Sequence, residues 1–168
     1  YVTVILNGDG ADELFAGYRR YVPAVHNWVK YARFLSIVTP LLPRSNVKMS
    51  YYNYLSRLLS MSNKDGLEYY FSSTNDIFED FYRFGVPNAT EKLDKSITQI
   101  NNNANLSNLS KSLILDSNYL LPGDLLKKMD IATMSNSIEG RSPFLSKEML
   151  EWAPKISDRE KIRGLQTK

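Results

Sequence analysis

The chain has 168 residues, 43% of them apolar and 23% charged, and this length predicts one globular domain or two small ones. It has no cysteine and one histidine, His26, which excludes cysteine-ligated zinc, iron–sulfur clusters, thiol catalysis and multi-histidine metal sites. A net charge of +3 is too small to indicate a nucleic-acid partner, and the longest apolar stretch, residues 34–42, is too short to cross a membrane.

The N-terminal segment YVTVIL, residues 1–6, predicts a strand because it is rich in β-branched residues. Apolar residues occupy both of its faces, which is typical of a strand covered on both sides in a parallel sheet. The rest of the chain offers no second strand of comparable quality by the same test. Neighbouring strands would come either from a partner or from a larger α/β domain of which this chain is a fragment. We favour the fragment, with neighbouring strands that precede Tyr1.

The remaining residues predict mostly helices. Apolar residues at helical spacing indicate helices over residues 11–21, 25–38, 51–61, 65–71 and 75–84. Residues 100–110, INNNANLSNLS, are polar and low in complexity, so they predict a mobile loop or a local insertion. Pro122 is predicted to open a helix that carries Met129 and Met134 as core residues. Residues 139–146, EGRSPFLS, are predicted to be extended, and residues 147–153 to form a last short helix.

The candidate chemistry lies in NGDGADELF, residues 7–15, where the strand passes through a glycine-containing loop into a helix. Ligands of α/β sheets bind beyond the carboxyl ends of strands, and helix N-termini favour anions. Asp9, Asp12 and Glu13 place carboxylates in this loop and helix, so a phosphate here implies Mg²⁺ between the charges. The alternative is structural, with acidic residues that cap the helix and offset its dipole. An EF-hand calcium site fails, because its twelfth position falls on Tyr18 or Arg20.

Three blocks of the chain resemble the asparagine synthetase family and related AMP-forming enzymes such as β-lactam synthetases. VILNGDGADELFAGYRRY, residues 4–21, resembles the family's loop and helix. NYLLPGDLLKKMDIATMSNSIEGRSPFLSKEMLEWA, residues 118–153, is similar to its later motif. KIRGLQTK, residues 161–168, is similar to the segment that follows, and the blocks occur in the family's order. Residues 22–117 add little recognisable signature.

This resemblance implies a mostly α-helical fragment of an α/β adenine-nucleotide α-hydrolase-like (ATP-pyrophosphatase) domain, with one N-terminal strand followed by helices. Residues 1–168 would be the C-terminal portion of the synthetase domain, truncated at both ends. The family's phosphate loop and its N-terminal glutaminase domain would lie outside these residues. We therefore expect the chain alone to lack synthetase activity.

The resemblance also implies an activity. Family enzymes adenylate the side-chain carboxylate of aspartate with ATP and Mg²⁺, and ammonia from the glutaminase domain then yields asparagine, AMP and pyrophosphate. We therefore expect part of a cytoplasmic ligase with small-molecule substrates and the glutaminase domain as partners, without nucleic acid or membrane, and homodimer formation is left open. Two alternatives remain: a relative that amidates or cyclises another carboxylate, and a non-catalytic helical interaction module.

In the first block, the resemblance assigns the nucleotide contacts to Asn7, Gly8, Asp9 and Gly10. Asp9 would also handle the acyl-adenylate and the incoming amine, and Asp12 would help hold Mg²⁺ and pyrophosphate. A loop cap is the structural alternative at Asp9.

In the second block, the family's catalytic positions fall on Lys128, Glu139 and Arg141, with Asp130 near Lys128 on the pocket-lining helix. A solvated charge pair of Lys128 with Asp130 is the structural alternative there. Glu139 and Arg141 are two residues apart in extended chain, so they project to the same side. Arg141 could therefore bind a carboxylate or phosphate, or form an ion pair with Glu139 that anchors the turn.

Overall fold

A computed structural model describes residues 2–25, 97–164 and 166–167, together with the separate positions 37, 51–53, 55, 59 and 95. The chain divides into two compact units, the first made of Tyr1–Val25 and Leu106–Lys168 and the second of His26–Asn105. All candidate site residues belong to the first unit. Among the described residues, no helix combines the length and the apolar character that a membrane span requires.

The first unit is mostly helical after an N-terminal strand, which confirms that part of the expected fold. Its strands are β1 (Val4–Leu6), β2 (Glu139–Arg141), β3 (Ile162–Arg163) and β4 (Gln166–Thr167). Its helices are α1 (Ala11–Phe15), α2 (Val22–Val25), α3 (Asn108–Leu115), α4 (Leu126–Met134), α5 (Lys147–Trp152) and α6 (Asp158–Lys161). A π-helical segment, Asp116–Leu125, joins α3 to α4, and 3₁₀ turns occupy Arg19–Tyr21, Pro143–Leu145 and Ala153–Lys155.

The strand β1 has a partner within the chain, so the expectation that it lacks one is wrong. β1 pairs in parallel with β2, with Ile5 opposite Gly140. Two flanking backbone bonds extend this pairing: Glu139 N–H donates to the Thr3 carbonyl at 2.8 Å, and Asn7 N–H donates to the Arg141 carbonyl at 2.9 Å. The sequence EGR has no strand pattern of its own, and its pairing depends on a segment distant along the chain.

Coverage of β1 on both faces, which the sequence analysis expects from strands outside these residues, is incomplete within the described structure. Val4 and Leu6 share one face, and their exposed fractions are 39% and 72%. Ile5, which points to the other face, is half-buried. β1 is therefore apolar on both faces but covered in part on one of them.

The predicted helix over residues 11–21 ends early, at Phe15. Ala16 adopts the left-handed conformation with φ 59°, which turns the chain out of the helix. The N–H of Gly17 then donates to the carbonyl of Asp12 at 3.0 Å. The chain continues into the 3₁₀ turn Arg19–Tyr21 rather than into a longer helix.

The loop predicted over residues 100–110 is shorter than expected. Residues 97–101 are helical, and α3 begins at Asn108, so the non-helical stretch is confined to residues 102–107. Ser107 sets the start of α3, because its side chain accepts a hydrogen bond from the Ser110 N–H at 3.0 Å. One of the polar residues in this stretch, Ser107, therefore caps a helix.

The prediction that Pro122 opens a helix is wrong, because Pro122 lies inside the π-helical segment. Proline lacks an N–H and clashes with the preceding turn of an α-helix, and the wider π-helical turn accommodates it. The Leu126 N–H donates to the Leu121 carbonyl five residues earlier. Helical backbone consequently runs without a break from Asn108 to Met134.

The other predicted helices have mixed outcomes. α5 confirms the helix predicted over residues 147–153, and positions 51–53, 55 and 59 are helical within predicted residues 51–61. The predicted helices over residues 65–71 and 75–84 lie outside the described residues, as does nearly all of 25–38. The C-terminal strands β3 and β4, which the sequence did not predict, pair antiparallel.

The core of the first unit joins the turn after α1 to α2, α3 and β3. Its buried members are Ala16, Tyr21, Val22, Leu109, Leu113 and Ile162. Met134, predicted as a core residue, is instead 62% exposed, as is Ile131 at 61%. These two residues share a face of α4 because they are three positions apart. The opposite face carries Met129 and Thr133 and packs against β2.

Candidate functional site

The loop after β1 and the turn after β2 lie in direct contact, although they are 133 residues apart along the chain. The Ser142 hydroxyl donates a hydrogen bond to the backbone carbonyl of Asp9. A Cβ placed on Gly10 would overlap the Leu145 side chain, so backbone and side chain are tightly apposed there. The structure thus brings together two of the three blocks that resemble the asparagine synthetase family, residues 4–21 and 118–153.

An aromatic cluster reinforces this contact behind the loop. The ring centroid of Phe15, on α1, lies 6.1 Å from that of Phe144 in an edge-on arrangement. It also lies 6.1 Å from the ring centroid of Trp152, at the end of α5. Such aromatic pairs add about 0.5–1.5 kcal/mol each beyond their burial. They fix α1 against the turn that follows β2.

The loop at residues 7–10 is held by its own backbone and side chains. The Asp9 N–H donates to the Asn7 side-chain oxygen at 3.1 Å, which forms a local turn. Gly10 has φ 85° and is the N-cap of α1, and the Leu14 N–H donates to its carbonyl at 3.0 Å. Gly8 is exposed, and a Cβ there would meet nothing within 4 Å. The loop therefore leaves an open approach to its backbone at Gly8.

Asp9 carries the most unusual atom of the loop. Its Oδ2 is buried and accepts no hydrogen bond from the described residues. Such an oxygen normally costs about 1–3 kcal/mol, so a donor or a cation is the expected partner. The loop-cap alternative is not what the structure contains, because the start of α1 has no side-chain cap.

A cavity of about 270 Å³ lies between the loop, β2 and α4. It is lined by Asn7, Leu126, Met129, Asp130, Thr133, Gly140, Ser142 and Leu145. A Cβ on Gly140 would lie 3.0 Å from Met129 Cε, so glycine allows α4 to approach β2 closely at this point. Polar groups from three elements therefore converge on one pocket.

The sequence identified Asn7 and Asp130 among these lining residues and missed the others. Met129 was predicted as core packing, but it is half-buried and lines the cavity. The missed residues on α4 could have been found from the sequence, since positions 126, 129 and 133 share one face of a helix with Asp130. Ser142 and Leu145 had no comparable signal, because their place depends on the contact with the loop.

Lys128 lies outside this cavity lining. Its ammonium group pairs with Asp124, one helical turn earlier, at 2.5 Å, and the two side chains are 71% and 45% exposed. The charge pair that the sequence suggested, with Asp130, is therefore not the one formed. Asp130 itself is exposed and faces the cavity.

Glu139 and Arg141 project to the same side of β2, as their spacing predicts. The guanidinium donates twice to the carboxylate, from Nε at 2.7 Å and from Nη2 at 3.2 Å. This hydrogen bonding, followed by the positive charge of Arg141, lowers the pKa of Glu139 below its ordinary value. Both side chains are more than half exposed, so the pair is open to solvent and to ligands.

Asp12 and Glu13 are not among the residues that line the cavity. The Asp12 carboxylate lies against Gly17, and Glu13 is 1% exposed. The Tyr18 hydroxyl donates to Glu13 at 2.6 Å. Burial, and then the hydrogen bond to Glu13, raises the pKa of Tyr18, so this hydroxyl stays a donor. Within the described ranges, no group of three or more acidic or histidine side chains could hold a metal by itself.

Comparison with protein families decides the relationship that these two blocks suggest. The family model described as asparagine synthase matches residues 1–168. The chain belongs to the asparagine synthase family. It is 31% identical over 173 residues to asparagine synthetase (glutamine-hydrolyzing) 1 of Bacillus subtilis (strain 168), with 100% of this chain and 27% of that protein covered. No solved structure gives a significant match.

Family membership confirms the resemblance of the blocks, and the chain spans about a quarter of the length of its Bacillus relative. In this member of the asparagine synthase family, the loop and β2 lie side by side. Asn7 and Asp130 face the cavity, whereas Lys128 and Asp12 do not line it. The structure therefore separates the candidate residues that line the cavity from those that do not.

Proposed function

We propose that this chain is part of an ATP-dependent amide-forming ligase. The complete enzyme would adenylate the side-chain carboxylate of aspartate and transfer ammonia derived from glutamine to it, giving asparagine, AMP and pyrophosphate. Support comes from the family match over the whole chain and from the name of the Bacillus relative. Since the chain spans 27% of that relative, we assign the activity to the complete protein and expect none from these residues alone.

The observation that carries this proposal is the buried Oδ2 of Asp9. The oxygen has no donor among the described residues, and its own backbone carbonyl is bonded to Ser142, which lines the cavity. A carboxylate in this state is suited to accept a proton from an attacking amine. We assign Asp9 this role at the acyl-adenylate, where ammonia must lose a proton as the amide forms.

The nucleotide would bind at the loop, through Asn7, Gly8, Asp9 and Gly10. Asn7 lines the cavity, and the open face of Gly8 permits close approach of a phosphate or ribose to the backbone. The loop lies at the carboxyl end of β1, where ligands of α/β sheets bind. This position supports the proposed fold family, an adenine-nucleotide α-hydrolase-like domain of which these residues are the C-terminal portion.

Magnesium would enter with the nucleotide, since it is usually held by one or two carboxylates together with substrate phosphates. The donor chemistry fits such an arrangement, because Asp12 offers a carboxylate in the first turn of α1, next to the loop. We propose Asp12 as this ligand on the family's pattern, and Asp9 Oδ2 keeps its role as the proton acceptor. ATP and Mg²⁺ would supply the leaving group and neutralise its charge, while the chain supplies orientation.

Lys128, Glu139 and Arg141 are proposed to act on the charge of the substrates. Lys128 is exposed on α4, and Arg141 is exposed on β2, so both cations are accessible from solvent. Glu139 holds the Arg141 guanidinium by two hydrogen bonds and fixes its plane. Positive charge placed before the reaction stabilises the charge that develops on phosphate.

The partners follow from the same proposal. ATP, aspartate and ammonia are the small-molecule substrates, and a glutaminase domain of the full-length chain supplies the ammonia. We propose a cytoplasmic location for the complete enzyme.

Aspartate-dependent pyrophosphate release by the full-length protein tests this function. We expect Asp9→Asn, which preserves size and removes charge, to lower kcat by roughly 10²- to 10⁴-fold, the range of a lost general base. Glu148→Gln makes the same chemical change at an exposed position of α5 and should leave kcat unchanged.

The outcomes separate the three functional readings. Pyrophosphate release that needs a carboxylate other than aspartate would identify a relative that amidates or cyclises another substrate. No release with any carboxylate would favour the non-catalytic interaction module. Equal kcat values for Asp9→Asn and Glu148→Gln would remove Asp9 from the chemistry.

A further inference from the structure

A buried polar cluster lies behind α1, formed by side chains that the proposed function does not use. Asp116 is fully buried and accepts hydrogen bonds from Arg20 Nη2, at 2.7 Å, and from the Tyr21 hydroxyl. Glu13 is 1% exposed and accepts from the Tyr18 hydroxyl at 2.6 Å. The Arg20 guanidinium lies 4.4 Å from the Tyr18 ring centroid, and this cation–π contact joins the two halves. We call these five residues the tyrosine–arginine cluster.

The cluster connects the two elements on either side of the cavity. Glu13 belongs to α1, which follows the loop at residues 7–10 directly and is bonded to it through Leu14 N–H and the Gly10 carbonyl. Asp116 begins the π-helical segment, which continues into α4 without a break. α1 also packs against the π-helical segment. A change in their spacing would therefore shift the loop relative to the cavity face of α4.

The bonds of the cluster are directional, and this distinguishes them from apolar packing. Buried hydrogen bonds to charged groups are strong, and a buried charged group that loses its partner is costly. Apolar contacts tolerate small sliding movements, whereas a network of this kind has few satisfactory geometries. The cluster consequently holds α1 and the π-helical segment at one spacing.

We propose that the tyrosine–arginine cluster positions the loop that carries Asp9 against α4, so that Tyr18, Arg20 and Tyr21 are positioning residues of the ligase site. The kinetic part of this inference rests on the proposed function, and the geometric part does not. The hydroxyl donors persist across the working pH range, because burial is the main factor that raises the pKa of Tyr18 and of Tyr21. A displacement of about 1 Å between reacting groups can cost roughly 10²-fold in rate.

Single hydroxyl deletions test the inference in the full-length protein. Tyr18→Phe removes the bond to Glu13, and Tyr21→Phe removes one bond to Asp116, while both rings remain. Tyr51→Phe is the matched control, because Tyr51 is 74% exposed and belongs to the second unit. The measurements are kcat and KM for aspartate-dependent pyrophosphate release, and hydrogen–deuterium exchange of the peptide that contains residues 7–10.

We expect both cluster variants to lower kcat by roughly 10- to 100-fold with little change in the KM for ATP. Exchange of the loop peptide should rise, while exchange across α6 stays at the wild-type rate. The Tyr51→Phe control should match the wild type in both measurements. A role limited to global stability would leave kcat and loop exchange of the folded protein unchanged, so these readouts separate positioning from stability.

Wild-type kcat together with wild-type loop exchange in Tyr18→Phe and Tyr21→Phe would overturn the inference. If the wild type shows no ligase activity but the variants loosen the loop, the proposed function fails and the geometric inference stands. If both variants fail to fold, Arg20→Lys is the variant to measure, because it keeps the positive charge and removes the planar guanidinium group. Faster loop exchange in Arg20→Lys supports positioning, and unchanged exchange refutes it.

Discussion

Replacing Gly10 by alanine probes the contact between the loop after β1 and the turn after β2. Gly10 has φ 85°, a left-handed conformation that glycine adopts freely. A Cβ at this position would also overlap the side chain of Leu145. The substitution therefore introduces backbone strain and a steric overlap at one site.

The two effects can be sized separately. A residue with a Cβ loses roughly 1–2 kcal/mol in the left-handed region. Overpacking costs about 1–3 kcal/mol, and the low end applies because Leu145 lines the cavity and can move into it. We therefore expect Gly10→Ala to lower the free energy of unfolding by about 2–3 kcal/mol, the sum of these values. Leu145 displaced in this way would also reduce the space for a ligand.

Urea unfolding followed by circular dichroism measures this loss. Gly123→Ala is the control, since a Cβ there meets nothing within 4 Å, and it should stay near the wild type or gain up to about 1 kcal/mol. Combining Gly10→Ala with Leu145→Ala should relieve the overlap between the two side chains. The stability lost to that overlap should then appear as a coupling of about 1 kcal/mol in a double-mutant cycle. A Gly10→Ala protein as stable as the wild type would refute the reasoning, and zero coupling would refute the contact with Leu145.

Substitutions at three further positions test the cap, the buried ion pair and the exposed ion pair. Ser107→Ala should lower the free energy of urea unfolding by about 1 kcal/mol, because it removes the cap of α3, and Ser107→Asp should not. Asp116→Ala should cost about 3–5 kcal/mol in the same assay, since it leaves the Arg20 guanidinium without its buried carboxylate, and a loss below 1 kcal/mol would contradict this. The NMR titration midpoint of Glu139 should lie below the ordinary value of 4.5 and rise in Arg141→Gln. Because its pKa is lowered, this pair's stabilisation is present at neutral pH and is lost as the pH falls through that midpoint. An unchanged midpoint would show that the pair does not form in solution.

The loop and its candidate residues could be predicted because their signal is local. Consecutive residues form the strand, the glycine-containing loop and the helix, and the family motif covers the same positions. The pairing of β1 with β2 could not be predicted in this way. Glu139, Gly140 and Arg141 have no strand pattern, and their pairing depends on backbone groups more than 130 residues away.

Element boundaries were less predictable for a related reason. The left-handed Ala16 ends α1 although alanine favours helices, and Pro122 lies within helical backbone although proline interrupts α-helices. At Ala16 the local propensity is outweighed by burial in the core, and at Pro122 the wider π-helical turn removes the conflict with an α-helix. Propensity alone therefore predicted the end of α1 too far along the chain, and it also predicted the start of the helix at Pro122 too far along the chain.

The sequence by itself determined the family and the residue types of the loop, since both depend on the order of residues along the chain. The tertiary structure decided which candidate side chains share a cavity: Asp130 and Met129 line it, and Lys128 pairs with Asp124 outside it. The physical reason is helical phase. Each residue added to a helix rotates the following side chains by about 100°, so the π-helical segment before α4 helps to set which face meets β2.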